Sequence, residues 1–123
     1  MIFELFAPPF AVVRLEPSSE FPSWVEGSEF LSVTRTRNEL SVVCEERLIP
    51  PGVVAERGWR CLELEGPIPF DQTGVAAAFL EPLARAAVGV FVVSTYDTDY
   101  LLVKEERLAA AITALRESGY EVK

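Results

Sequence analysis

Hydrophobic and polar positions along the chain fall into short β-type runs broken by turn residues, with two longer helical stretches in the second half. Residues 10–15 (Phe-Ala-Val-Val-Arg-Leu) are β-branched and closed by Pro17-Ser18-Ser19, which predicts a strand. The nine residues before them end in Pro8-Pro9 and read as a leader. Residues 22–26 fit one or two helical turns, since Pro is tolerated at a helix start and Gly27 supplies a stop. Residues 30–35 and 40–45 then pair as a hairpin across Thr36-Arg37-Asn38-Glu39. Residues 46–58 read as a connector, because Pro50-Pro51-Gly52 and Gly58 interrupt regular structure.

Residues 59–65 alternate, with Trp59, Cys61 and Glu63 on one side and Arg60, Leu62 and Leu64 on the other. Pro67 and Pro69 cannot donate to a ladder and end that strand. In residues 74–87, Val75, Phe79, Leu83 and Ala86 recur at helical spacing, and Glu81 and Arg85 form an i,i+4 pair on the other side. Asp71 or Thr73 is placed to cap this helix, and Pro82 inside it predicts a kink. Two β-type runs, 90–93 and 100–103, flank a polar tip short enough to require a tight hairpin. A second helix begins at Glu105-Glu106, carries Leu108, Ala111, Ile112 and Leu115 on one stripe, and stops at Gly119; residues 120–123 add a last strand.

From Trp59 onward the order is β-α-β-β-α-β. That is an α+β, ferredoxin-like arrangement, an antiparallel sheet with both helices on one face. The N-terminal β-α-β-β looks like the same plan cut short, a partial repeat of about sixty residues. The expected division is residues 1–58 as a degenerate first half and 59–123 as the complete repeat.

Composition narrows the function. The 123 residues carry 19 acidic against 11 basic side chains, a net charge of −8, and Arg35 and Arg37 make the only close basic pair without a counter-charge between them. A phosphate backbone needs clustered Lys and Arg, so nucleic acid is excluded as a partner, while the acidity favours cationic or zwitterionic ligands. The apolar runs are far shorter than the roughly 18 residues of a membrane helix, and the first residues lack a secretory pattern. A soluble cytoplasmic protein with no membrane association is expected. Cys44 and Cys61 sit in apolar strand-like runs and read as buried, inert thiols. There is no histidine, which removes the commonest general base and most catalytic zinc sites. The paired acids Glu45-Glu46 and Glu105-Glu106 lack metal-ligand spacing and read as solvated charge or helix-end dipole partners; no metal or cofactor is expected.

The candidate chemistry lies on the second hairpin. Its tip gathers Asp97, Asp99, the hydroxyls of Ser94 and Thr95, and the ring of Tyr96. Such a cluster either caps the amino group of a small ligand or satisfies its own turn, the second being the simpler reading of Asp97. Catalysis is not expected, because neither carboxylate is placed to hold a proton near neutral pH on so exposed a tip.

Three stretches, residues 69–76 (Pro-Phe-Asp-Gln-Thr-Gly-Val-Ala), 80–84 (Leu-Glu-Pro-Leu-Ala) and 93–103, resemble the small bacterial tandem ACT proteins and the ACT domains of the eukaryotic cytosolic arginine sensors. The likeness extends over most of the chain, including the Thr34–Ser41 hairpin and the strand at Trp59. It implies a regulatory module that binds an amino acid at a domain interface, as related domains do in aspartate kinase. It also implies a homodimer and a regulated enzyme partner, and a pocket lined by Gln72, Gly74, Val75, Thr95, Tyr96 and Asp99. The residues agree with that lining: Gly74 allows close approach, a helix start favours an anion, and Asp99 can accept from a cation. The likeness breaks at Gln72, where the arginine-sensing relatives carry Glu, so a neutral or differently charged amino acid is as good a candidate as arginine. The rival reading is a protein-interaction module whose pocket has lost its ligand.

Overall fold

The residues expected as a leader form a strand. In Ile2-Phe3-Glu4-Leu5 burial alternates, Phe3 being fully buried and Glu4 exposed, and the segment pairs antiparallel with residues 62–64 and parallel with residues 121–122. In chain order the computed structural model, which describes all 123 residues, contains β1 (Ile2–Leu5), β2 (Phe10–Leu15), β3 (Ser32–Arg35), β4 (Leu40–Glu45) and β5 (Ala55–Leu64). These are followed by α1 (Val75–Arg85), β6 (Phe91–Ser94), β7 (Asp99–Lys104), α2 (Leu108–Glu117) and β8 (Glu121–Val122). They divide into two units, Met1–Ala7 with Arg60–Lys123, and Pro8–Trp59, each built on a ferredoxin-like repeat. No helix is long and apolar enough to cross a membrane.

In the first of these units the strand order is β6-β7-β5-β1-β8. The expected all-antiparallel sheet is therefore mixed, because β1 enters between β5 and β8 and runs parallel to β8. Backbone bonds lock it there: Leu5 N–H donates to the Lys123 carbonyl at 3.1 Å, and Lys123 N–H to the Phe3 carbonyl at 2.9 Å. Phe3 meets Phe79 edge-on at 5.7 Å and Tyr120 at 5.3 Å, which ties β1 to the helical layer. Burying such a ring contributes about 2–3 kcal/mol. Both helices cover one face of the sheet, with Phe79, Leu83, Ala111 and Leu115 packed in the same core as Leu62, Leu64, Leu101 and Val103. The predicted stripe thus holds, and the Glu81–Arg85 ion pair forms at 3.0 Å. The helix continues through Pro82, which is buried.

Both helices end in the same way. After α2, Gly119 N–H donates to the Arg116 carbonyl and Tyr120 N–H to the Leu115 carbonyl, with Gly119 at φ 95°. After α1, Ala87 N–H donates to Ala84 and Val88 N–H to Leu83, with Ala87 at φ 57°. This is the two-bond Schellman stop, made once with glycine and once with a residue whose Cβ opposes the left-handed conformation.

The Pro8–Trp59 unit has the strand order β3-β4-β2-β5, the same relative order as a complete ferredoxin-like repeat. It was expected to stop one strand short. The fourth strand is the start of β5, which begins at Ala55 inside the expected connector. Gly58 does not break β5: at φ 77° it sits where the register against β2 slips between the pairs Phe10↔Trp59 and Val12↔Glu56, a bulge that glycine accommodates. Single 3-10 turns, Ser23–Val25 and Glu46–Leu48, stand where the helices would be. Ala11, Val13, Leu40, Val42 and Cys44 form the core with Val25 and Ile49. The buried Glu45 carboxylate accepts from Glu29 N–H and, at 3.0 Å, from Arg47 Nε, which meets the demand that a buried charge be paired.

Two consequences are measurable. Ala87→Gly should stabilise the protein by about 1 kcal/mol, read as a higher urea midpoint at unchanged slope, because glycine removes the left-handed penalty at that stop. Burial, with a smaller contribution from Glu45, raises the Cys44 thiol from 9.0 to about 11. The unfolded chain releases this proton near pH 9 and the folded chain near pH 11, so stability from this group is intact below pH 9 and lost as the pH rises to 11. Denaturation curves across that window should fall less steeply for Cys44→Ala than for the wild type.

Candidate functional site

Strand β5 ends at Leu64, and the chain then runs past the tip of the β6–β7 hairpin before α1 starts. Gly66 permits that crossing: a Cβ there would lie 2.9 Å from the Asp97 carbonyl oxygen and 3.0 Å from Thr98 Cβ. The buried Thr98 donates its hydroxyl to the Leu64 carbonyl, and Ile68 N–H donates to the Asp97 carbonyl at 2.8 Å. Loop and hairpin are thereby stitched by one side-chain bond and one backbone bond. The Gly66–Pro67 peptide is cis.

The hairpin closes with the pair Ser94↔Asp99 and the Thr95 N–H to Thr98 carbonyl bond of 2.8 Å. The Thr95 hydroxyl also accepts from Thr98 N–H at 3.3 Å, so Thr95 makes the side-chain turn bonds expected of Asp97. Ser94 Oγ donates to Asp99 Oδ1 at 2.6 Å, which orients that carboxylate while leaving its other oxygen open to a further donor.

On the facing side, α1 starts without a side-chain cap. Neither Asp71 nor Thr73 takes that role; the N-cap is Gly74, at φ 76° and ψ 4°. Ala78 N–H donates to the Gly74 carbonyl at 3.0 Å, so the amides of Val75, Ala76 and Ala77 precede the first intrahelical bond. A left-handed cap strains any side chain, and nothing crowds Gly74, whose missing Cβ leaves the approach to these amides clear.

Between the helix start and the hairpin tip lies an open cavity of about 320 Å³. All six residues singled out in the sequence, Gln72, Gly74, Val75, Thr95, Tyr96 and Asp99, line it. So do Ser94 and Asp97, and no Lys or Arg does. Sequence reasoning passed over Phe70 and Thr98, which also line it. Phe70 is 75% and Tyr96 80% exposed, and their rings meet edge to face at 4.9 Å and 89°. The available signal for Phe70 was an aromatic in a proline-rich loop, where no core position exists for it. No group of three or more His, Cys, Asp or Glu side chains is arranged to hold a metal ion.

The cavity pairs the amides at the start of α1 on one wall with the carboxylates of Asp97 and Asp99 on the other. Two ferredoxin-like repeats, one of them with such a cavity at its strand-to-helix loop, define the class. The chain belongs to the ACT-domain family, whose model matches residues 54–117, just over half its length. A second family model, of an N-terminal domain, matches residues 9–52. The bovine cytosolic arginine sensor for mTORC1 subunit 1 is 32% identical over 98 residues, which are 71% of this chain and 30% of that one. The chain thus spans under a third of that relative's length. A crystal structure of an Agrobacterium tumefaciens protein is 36% identical, with a TM-score of 0.93 over 99% of this chain and 91% of that one. Aspartate kinase of Clostridium acetobutylicum shares the fold, at 15% identity and a TM-score of 0.68, over 91% of this chain and 33% of that one.

The stitching at Gly66 is testable without a ligand. Gly66→Ala should cost about 1–3 kcal/mol in unfolding free energy, since the opposing atoms include backbone that cannot rotate away. Chemical denaturation would show it.

Proposed function

We propose that this chain is a cytoplasmic regulatory module, without catalysis of its own, that binds an amino acid in the cavity between Gly74 and Asp99. The observation that carries the reading is the opposition of charge across that cavity. The uncapped amides at the start of α1 suit a carboxylate, and Asp99, held by Ser94, suits an ammonium group. Phe70 and Tyr96 would flank the ligand's side chain. The family and the likeness to an arginine sensor support the same reading. Gln72 brings a neutral amide, so the ligand's side chain need not be a guanidinium. Strand β6 ends the sheet of its unit with one unpaired edge. A second copy pairing there would make the module a homodimer, and an enzyme would be the regulated partner.

A second reading has one observation in its favour. Phe70 and Tyr96 expose two packed rings, as a protein-binding surface does. In that reading the tip docks a partner chain and no amino acid is needed.

Melting temperatures in the presence of each of the twenty amino acids separate the two. A ligand at 100 times its dissociation constant adds about 2.7 kcal/mol of stability. At least one amino acid should raise the melting temperature at millimolar concentration, and Asp99→Asn should weaken its binding at least tenfold, about 1.4 kcal/mol. The absence of any shift across the whole set would remove the amino-acid reading.

A further inference from the structure

The two repeats build the same hairpin and then use it in opposite ways. Thr36 N–H donates to the Glu39 carbonyl at 2.9 Å, as Thr95 does to Thr98, and the Thr36 hydroxyl accepts from Glu39 N–H at 3.2 Å. Each four-residue turn sits just inside a closing pair, Arg35↔Leu40 in one repeat and Ser94↔Asp99 in the other. Arg35 therefore stands where the pocket has Ser94, and the buried Leu40 stands where it has Asp99.

We infer that the N-terminal repeat is a closed counterpart of the pocket with Arg35 as its built-in occupant, so that the chain offers one ligand site and not two. Three features of the pocket are missing or reversed there. The ligand-facing carboxylate is replaced by a leucine that belongs to the core. The helix start is replaced by the three-residue turn Ser23–Val25, and the residue before it, Pro22, has no N–H. The space between hairpin and preceding loop is bridged by the Arg35 guanidinium, which donates to the Pro17 carbonyl and, at 2.7 Å, to the Ser19 carbonyl. Two carbonyl acceptors thus hold a cation that the chain itself supplies, and an arginine's planar fork is suited to that double contact. Arg35 and Arg37 are both exposed on this hairpin, and Arg37 makes neither bond.

The ligand count rests on the amino-acid reading, while the closure does not, so two measurements are paired. In the first, the 123-residue chain is dialysed to equilibrium against a series of concentrations of an equimolar mixture of the twenty amino acids, and the bound material is quantified. One mole per mole of chain, with the dissociation constant raised at least tenfold in Asp99→Asn, is the expected result. Two moles would overturn the inference and leave the amino-acid reading standing, whereas one mole held with unchanged affinity by Asp99→Asn would overturn both the inference and the placement of the ligand at Asp99. In the second, Arg35→Ala should lower the melting temperature by about 3 °C relative to Arg37→Ala. Equal melting of the two variants would mean that Arg35 does not close the loop in solution, and would overturn the inference with or without a ligand. Binding of nothing at all would defeat the amino-acid reading, and the melting pair alone would then decide the closure.

Discussion

The cavity depends on how closely the chain leaving β5 passes the hairpin beyond it. Gly66 sets that distance, because any side chain there would collide with the Asp97 carbonyl and with Thr98. Thr98 fixes it from the other side. A hydroxyl removed from water must find a partner, and this one finds the Leu64 carbonyl at the end of β5. With loop and hairpin held at both points, the start of α1 faces the tip across a space that neither element could enclose alone. The acid, oriented by Ser94, the Tyr96 ring, packed on Phe70, and the open amides of α1 then line that space together.

The same plan, carried out with fewer residues, gives a different result in the Pro8–Trp59 unit. A helix of eleven residues supplies a dipole and a set of unbonded amides; a single 3-10 turn supplies neither on that scale. That unit instead spends its polar groups on its own loops. Glu45 anchors Glu29 N–H and Arg47, and Glu46 accepts from Gly58 at 2.9 Å. Short repeats of this kind have little core to draw on, and local side-chain bonds take over the work of holding the connections.

The periodic segments were readable from the sequence because one physical cause dominates each of them. The stripe of Phe79 and Leu83 faces a sheet, and the tip of the β6–β7 hairpin is fixed by strand pairing on both sides. The six residues gathered round the cavity were readable for the same reason, together with their likeness to a family pattern. What was not readable depends on partners far away in sequence. Ile2-Phe3-Glu4-Leu5 is too short to declare itself a strand, and its two neighbours lie beyond residue 60. Gly58 looks like a break until the bulge against β2 is seen. Thr98 seems a polar turn residue until the Leu64 carbonyl appears beside it, and the absent cap on α1 could not be inferred while Asp71 and Thr73 stood ready to supply one.

The position of β1 also sets an order of events. Its antiparallel neighbour is the end of β5 and its parallel neighbour is β8, so β1 has no partner until the end of β5 has been made and is flanked on both sides only once β8 has been made. The Pro8–Trp59 unit, by contrast, contains all its own strands and is finished while β1 is still single. Closure of long chain segments slows folding, and here it concerns the unit that carries the cavity. During synthesis, the pocket-bearing half is the one that must wait, with Phe3 exposed to solvent until Phe79 and Tyr120 arrive to cover it.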